Sequence, residues 1–248
     1  LSAVGRSADD IYAACYEQLR AKSLEYYKRF PGDRVRFAEL AALAKKGEIA
    51  TPSGDVVCPS RLRSLGHVLG ASGGAEKLHY LLEYPHTSRA FRHDLAELLP
   101  YGGRNPLYAV IHESSYADGV VTDWSAARML PDDFREDPTL LTGEHVMPEW
   151  FDTDQELRPW KEVADLIANH PWPKLYDPDV LRTAEVPCAA AVYHDDAYVP
   201  RKFYLETAAL LPQMHAWVTT EYEHNGSNAS GGTVLDRLIK LAKGEIVR

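Results

Sequence analysis

Two residues near the C-terminal end of the chain could do acid–base chemistry together. Asp196 closes the run Val186-Pro187-Cys188-Ala189-Ala190-Ala191-Val192-Tyr193-His194-Asp195-Asp196, and His224 stands in Glu221-Tyr222-Glu223-His224-Asn225-Gly226. They are 28 residues apart, the length that one strand–helix–strand crossover with short loops requires. Both side chains are therefore expected at one edge of a parallel sheet, where ligands and catalytic groups of open α/β sheets gather. A carboxylate in that place can hold an imidazole in one tautomer and stabilise its protonated form, leaving the imidazole to act as base and then acid. The competing reading makes Asp196 a turn residue and His224 a solvated loop residue, because aspartate is common in turns.

Such a pair needs a nucleophile. Gly70-Ala71-Ser72-Gly73-Gly74 matches the pattern G-x-S-x-G, and the chain order Ser72, Asp196, His224 is that of α/β-hydrolase triads. Its context does not match, since an elbow serine needs a buried strand before it and residues 1–69 read as helices and turns. The motif is read as a glycine-rich break between helices. His112-Glu113 opens like a zinc-binding motif but has Tyr116 where the second histidine would stand, so no metal is expected. Cys15, Cys58 and Cys188 are odd in number and widely spaced, which argues against a disulfide framework or a zinc site.

The elements that must position the pair lie in the last quarter. Residues 186–192 read as a buried strand, 201–210 as an amphipathic helix, 215–220 as a short strand and 233–243 as a closing helix. That order is a βαβα unit of a parallel sheet, although two strands make no stable open sheet by themselves. The first hundred residues read as helical. One helix covers 8–30 with Ser7 as N-cap, a second covers 35–46 and closes at Gly47, and further pieces cover 60–69, 75–83 and 86–99. Residues 107–111 are apolar and their class is open. Residues 123–129 are helix-like, 131–160 are irregular with short helices, and 160–170 form a helix ended by Pro171-Trp172-Pro173.

Composition narrows the function classes. The chain has 248 residues, 45% hydrophobic and 25% charged, which is ordinary globular usage. A net charge of −9 and the lack of a basic run argue against nucleic-acid binding. No apolar segment approaches the roughly 18 residues of a membrane span, and the N-terminus lacks a signal-peptide core. The expected protein is soluble and cytoplasmic.

Five stretches carry a family resemblance. They are Leu78-His79-Tyr80-Leu81-Leu82-Glu83, Tyr108-Ala109-Val110-Ile111-His112-Glu113-Ser114-Ser115-Tyr116-Ala117-Asp118-Gly119, Leu141-Thr142-Gly143-Glu144-His145-Val146-Met147-Pro148-Glu149-Trp150-Phe151, Asp196-Ala197-Tyr198-Val199-Pro200 and Glu223-His224-Asn225-Gly226. In this order and spacing the chain resembles the proline iminopeptidases, or prolyl aminopeptidases, a family of capped α/β-hydrolases of the serine-peptidase clan. The acid loop is the best single match: the family places an aspartate four residues before a proline, which selects Asp196 over Asp195.

The resemblance implies an α/β protein of the α/β-hydrolase fold. Residues 173–248 would be the C-terminal part of the core sheet, and residues 1–172 a largely helical cap. It implies a serine aminopeptidase that releases N-terminal proline without a cofactor, with Asp196 and His224 as catalytic residues. The nucleophilic serine is expected upstream of Leu1 or on a separate chain, so an N-terminal hydrolase segment is the expected partner. Cap glutamates of the family bind the substrate's free α-amine, which points to Glu113 first and Glu83 second. The expected substrate is a peptide or amino-acid amide with a free N-terminal proline; neither nucleic acid nor membrane is expected as a partner. Two alternatives stand beside this reading. One is a capped hydrolase of the same fold acting on another amide, an ester or a lactone, and the other is a catalytically silent binding or assembly module.

Overall fold

The computed structural model describes residues 3–101 and 105–247. Helix α1 (Ala8–Arg29) starts where the sequence puts it. The Ser7 hydroxyl accepts the Asp10 N–H at 3.1 Å and the Asp10 carboxylate accepts the Ser7 N–H at 3.2 Å, so two donors at the helix start are satisfied reciprocally. With 22 residues, α1 is about 33 Å long and is covered on several sides. Ile11 and Cys15 pack with Phe203, and Leu19 packs with Ala197 and Tyr198. These three α1 residues recur every fourth position, so they form one stripe. Tyr12 and Tyr16 enter an aromatic core with Phe134, Trp150 and Phe151, while Tyr26 and Tyr27 enter another with Phe37, Leu65, Leu78 and Phe91.

Helix α2 (Pro31–Lys45) follows without a loop. The sequence suggests a break at Pro31-Gly32-Asp33, but proline at the first helical position gives up only an N–H that has no partner there, so the chain turns a corner and resumes at once. Gly47, at φ +73°, closes α2 in the left-handed conformation that a side chain resists. A short helix (Pro59–Arg63) and a 3-10 turn (Ser64–Gly70) lead to α3 (Gly74–Glu83) and α4 (Arg89–Leu98). The apolar run whose class was open is helical, as α5 (Pro106–Ile111). Asn105 caps it by accepting the Tyr108 N–H at 3.3 Å, and the Asn-Pro start outweighs the strand preference of the residues that follow. Helices α6 (Ser125–Arg128) and α7 (Lys161–Ala168) complete the helical part that matters for the site.

The α/β character is confined to the end of the chain. Strand β1 (Cys188–Tyr193) pairs in parallel with β2 (Met214–Thr219), with Cys188 opposite Met214 and Tyr193 opposite Thr219. Helix α8 (Arg201–Ala208) makes the crossover, and α9 (Thr233–Ala242) lays Val234 against Ala191 and Tyr193. Among the described residues these two strands are the whole sheet, and the protein is mostly helical. β1 is less covered than its apolar sequence suggests: its last four residues are buried, whereas Val186 before it is 67% exposed. Among the described residues no helix is long and apolar enough to cross a membrane.

Because the Ser7 cap satisfies otherwise orphaned donors, Ser7→Ala should lower stability by about 1 kcal/mol. In a chain of this size that is a fall in Tm of about 2–4 °C, readable by circular dichroism. An unchanged Tm would mean that burial of α1 alone fixes where it starts.

Candidate active site

The two strands end level, and the loops beyond them bring Asp196 and His224 together. Tyr193 and Thr219 are register partners at the strand ends; Asp196 lies three residues past one, His224 five past the other. His224 Nδ1 donates to Asp196 Oδ2 at 2.8 Å. The other oxygen of Asp196 accepts the backbone N–H of Tyr198 at 2.8 Å and of Val199 at 3.0 Å. The carboxylate is thus fixed from three directions and is only 5% exposed, while the imidazole is 45% exposed. With Nδ1 held by the acid, Nε2 is the nitrogen left to exchange a proton with a reacting group. The hydrogen bond to Asp196 raises the His224 pKa against the opposing effect of burial, and the charge of Glu144 adds to the rise.

Glu144, which the sequence did not single out, is electrostatically coupled to both members of the pair. Burial pushes its carboxyl up to about 7, with His224 opposing and Asp196 adding to the rise. Apart from that pair, the histidines beside it are neutral. His112 donates from Nε2 to the Glu144 carbonyl at 3.0 Å, and burial brings His112 down to about 4 and neighbouring His145 to about 3, so both are neutral at pH 7. The His145 ring lies 4.1 Å from that of Tyr16 and 5.3 Å from that of Tyr12. Among the described residues no lysine or arginine pairs with Glu144, and a buried carboxylate without such a partner is costly to ionise. The signal was in the sequence, since Glu144 lies within the Leu141-to-Phe151 stretch that carries part of the resemblance, but nothing there separates it from Glu149.

The two glutamates expected to hold an amine are placed elsewhere. Glu113 is buried, and its two oxygens accept the backbone N–H groups of Ser125 at 2.9 Å and Ala126 at 3.0 Å, the first turn of α6. It holds a helix start, where a carboxylate complements the helix dipole. Glu83 is at the exposed end of α3, 3.8 Å from His79 Nε2. Neither hydrogen-bonds to Asp196 or His224. Ser72 follows the 3-10 turn rather than a strand; its backbone N–H donates to Asn225 Oδ1 at 2.9 Å. Among the described residues no group of three or more His, Cys, Asp or Glu side chains is arranged to hold a metal ion.

With this geometry in place, the chain can be compared with known proteins. It is 36% identical over 252 residues to a proline iminopeptidase of Aeromonas sobria, covering 96% of this chain and 58% of that protein. It is 25% identical over 234 residues to a proline iminopeptidase of Aspergillus aculeatus, covering 89% of this chain and 52% of that one. This stretch of chain belongs to the proline iminopeptidase family. It spans about half the length of the curated relatives it matches. No family model matches it.

Two measurements check the electrostatics of the pair and of Glu144. Asp196→Asn removes the charge that favours the His224 imidazolium, so the His224 pKa, read from its ring-proton NMR signal against pH, should fall. For Glu144 the folded value of about 7 lies above the ordinary 4.5, so the native state holds a proton that the unfolded state releases. Stability associated with this group is present below about pH 4.5 and is lost as pH rises to about 7. Glu144→Gln cannot ionise and should raise Tm at pH 8, by the equivalent of up to about 3 kcal/mol, with little effect at pH 4. A Tm gain of equal size at both pH values would assign the effect to packing.

Proposed function

We propose that the chain is the cap, residues 1–172, and the C-terminal core segment, residues 173–248, of an α/β-hydrolase that releases N-terminal proline from peptides. The observation that carries the reading is the 2.8 Å bond between His224 and a buried Asp196 at the level ends of two parallel strands. Membership of the proline iminopeptidase family supports the same reading and supplies the substrate class. The nucleophile is a serine in the length that the relatives have beyond this chain.

In this mechanism the serine attacks the carbonyl carbon of the N-terminal prolyl residue while His224 Nε2 takes its proton. Asp196 keeps the Nδ1 proton in place and stabilises the imidazolium. His224 then gives its proton to the leaving amine, so the C–N bond breaks with a neutral leaving group. A water molecule, deprotonated by the same nitrogen, cleaves the acyl-enzyme and frees proline. No step calls for a cofactor.

The amine is recognised by a carboxylate in a water-poor wall, where a charge-assisted contact is worth more than at the surface. Glu144 fills this role in the proposed site. Its charge acts on His224, and among the described residues its one ion partner is the neutral His112, 4.0 Å away. Glu113, the first choice from the resemblance, is committed to the start of α6, and Glu83 stays at the surface beside His79. Glu113 therefore positions the cap wall rather than the amine.

The test is hydrolysis of a prolyl-arylamide by the full-length enzyme. His224→Ala should lower kcat/KM by about 10⁴-fold, and acylating the substrate amine should remove nearly all turnover. Glu144→Gln should raise KM more than it lowers kcat. Equal turnover of free and acylated substrates would leave a hydrolase but sink the aminopeptidase assignment; full activity in His224→Ala would sink both.

A further inference from the structure

The glycine-rich stretch at residues 70–74 has no part in the mechanism above, yet it lies against the catalytic histidine. The His224 backbone N–H donates to the Gly70 carbonyl at 3.1 Å. Beside it, two residues on from Gly70 and one on from His224, the Ser72 N–H donates to Asn225 Oδ1 at 2.9 Å. The loop that carries His224 has no strand or helix of its own between Thr219 and Gly226, so these bonds to a segment some 150 residues away replace the ladder it lacks.

The ring is held from the same side. The rings of Tyr198 and His224 meet edge to face, with centroids 4.9 Å apart and planes at 75°. Its other contacts lead back to the cap: the ring stacks on His67 at 5.1 Å, and the hydroxyl donates to the His67 carbonyl. The glycines allow the approach. A Cβ on Gly70 would lie 2.2 Å from Tyr198 Cζ, and one on Gly74 would lie 1.6 Å from the Val68 carbonyl oxygen. On the core side a Cβ on Gly226 would lie 2.5 Å from the Tyr193 hydroxyl. An ion pair of 2.7 Å between Glu223 and the buried Lys22 of α1 closes the loop's remaining side.

We infer that the cap turn at residues 70–72, acting through Asn225 and Tyr198, is the positioning device for His224. Asp196 sets which nitrogen carries the proton; the cap sets where the other nitrogen points. A cap lifted away from this turn releases the backbone and the ring of His224 in the same movement, so the base is aimed only while the cap is seated. Among the described residues the groups that face the imidazole include Asp196, Glu144, His67 and Tyr198, and the charge of the chain's N-terminus also acts on it. Asn225 and the turn touch no reacting atom, and their effect passes through His224.

The inference rests on His224 as the base, and its test separates the two ideas. In the full-length enzyme Asn225→Ala should lower kcat about tenfold with KM within about twofold, the size expected of a small misplacement of a reacting group. Asn225→Asp keeps the acceptor for the Ser72 N–H and should recover most of that loss. Histidine NMR on the same variants supplies a readout that simple loss of stability would not move. In Asn225→Ala the His224 pKa should fall towards its ordinary value as the bond to Asp196 loosens, and the acid limb of the kcat/KM profile should move to lower pH with it. Tyr198→Phe, which keeps the ring and loses the bond to the His67 carbonyl, should show the same shift in smaller degree. Wild-type kcat and an unmoved His224 pKa in Asn225→Ala, with His224→Ala still inactive, would overturn the positioning role and leave the catalytic assignment standing.

Discussion

The hydrogen bond from His224 Nδ1 to Asp196, 2.8 Å long and made between two loops, is the contact on which the site depends. An imidazole on an irregular loop has two nitrogens, two tautomers and free rotation about its side-chain bonds. One bond to a fixed carboxylate removes the tautomer ambiguity and most of the rotation. It can do so only because Asp196 is itself fixed, with its second oxygen holding the N–H groups of Tyr198 and Val199. The parallel register that puts Tyr193 beside Thr219 brings the two loops within reach. A slip of one residue would turn every side chain of one strand to the other face.

The pair was legible in the sequence because its causes are local. A run of small apolar residues followed by Asp196 and Pro200, a crossover of ordinary length and a second short run leave little freedom in where the two loops go. The helix starts at Ser7 and Asn105 and the stop at Gly47 rest on capping chemistry that acts over a few residues, and the first and last of these could be read directly. The class of residues 107–111 could not, because an apolar run of that length suits a buried helix or a strand equally. Only the Asn-Pro start decides between them.

What the sequence hid is tertiary. Glu113 and Glu144 are both glutamates in cap segments next to a histidine, and no local feature ranks them. In the fold one finds two backbone N–H groups within 3.0 Å, while the other faces neutral rings and the negative charge of Asp196. The difference comes from which helix start happens to lie opposite, a contact between elements a dozen residues apart in one case and between the cap and the acid loop in the other. Burial of Glu144 without a lysine or arginine partner among the described residues is also a cost to the resting fold. In the proposed function the substrate's ammonium group would meet that charge, and stability and recognition would then be opposed at that one residue.

The motif at residues 70–74 makes the same point about patterns. G-x-S-x-G marks a nucleophile when a buried strand precedes it, because the glycines then clear space around a sharp strand-to-helix turn. Here a 3-10 turn precedes it, and the glycines clear space for Tyr198 and for the Val68 carbonyl instead. In both settings the glycines are needed because two backbones or a ring approach more closely than a Cβ permits. The pattern therefore reports close approach, not a nucleophile. In this chain the close approach joins the 3-10 turn to the loop of His224, so the short segment that best mimics an active-site serine motif is bonded backbone to backbone to the loop that carries the histidine of the pair.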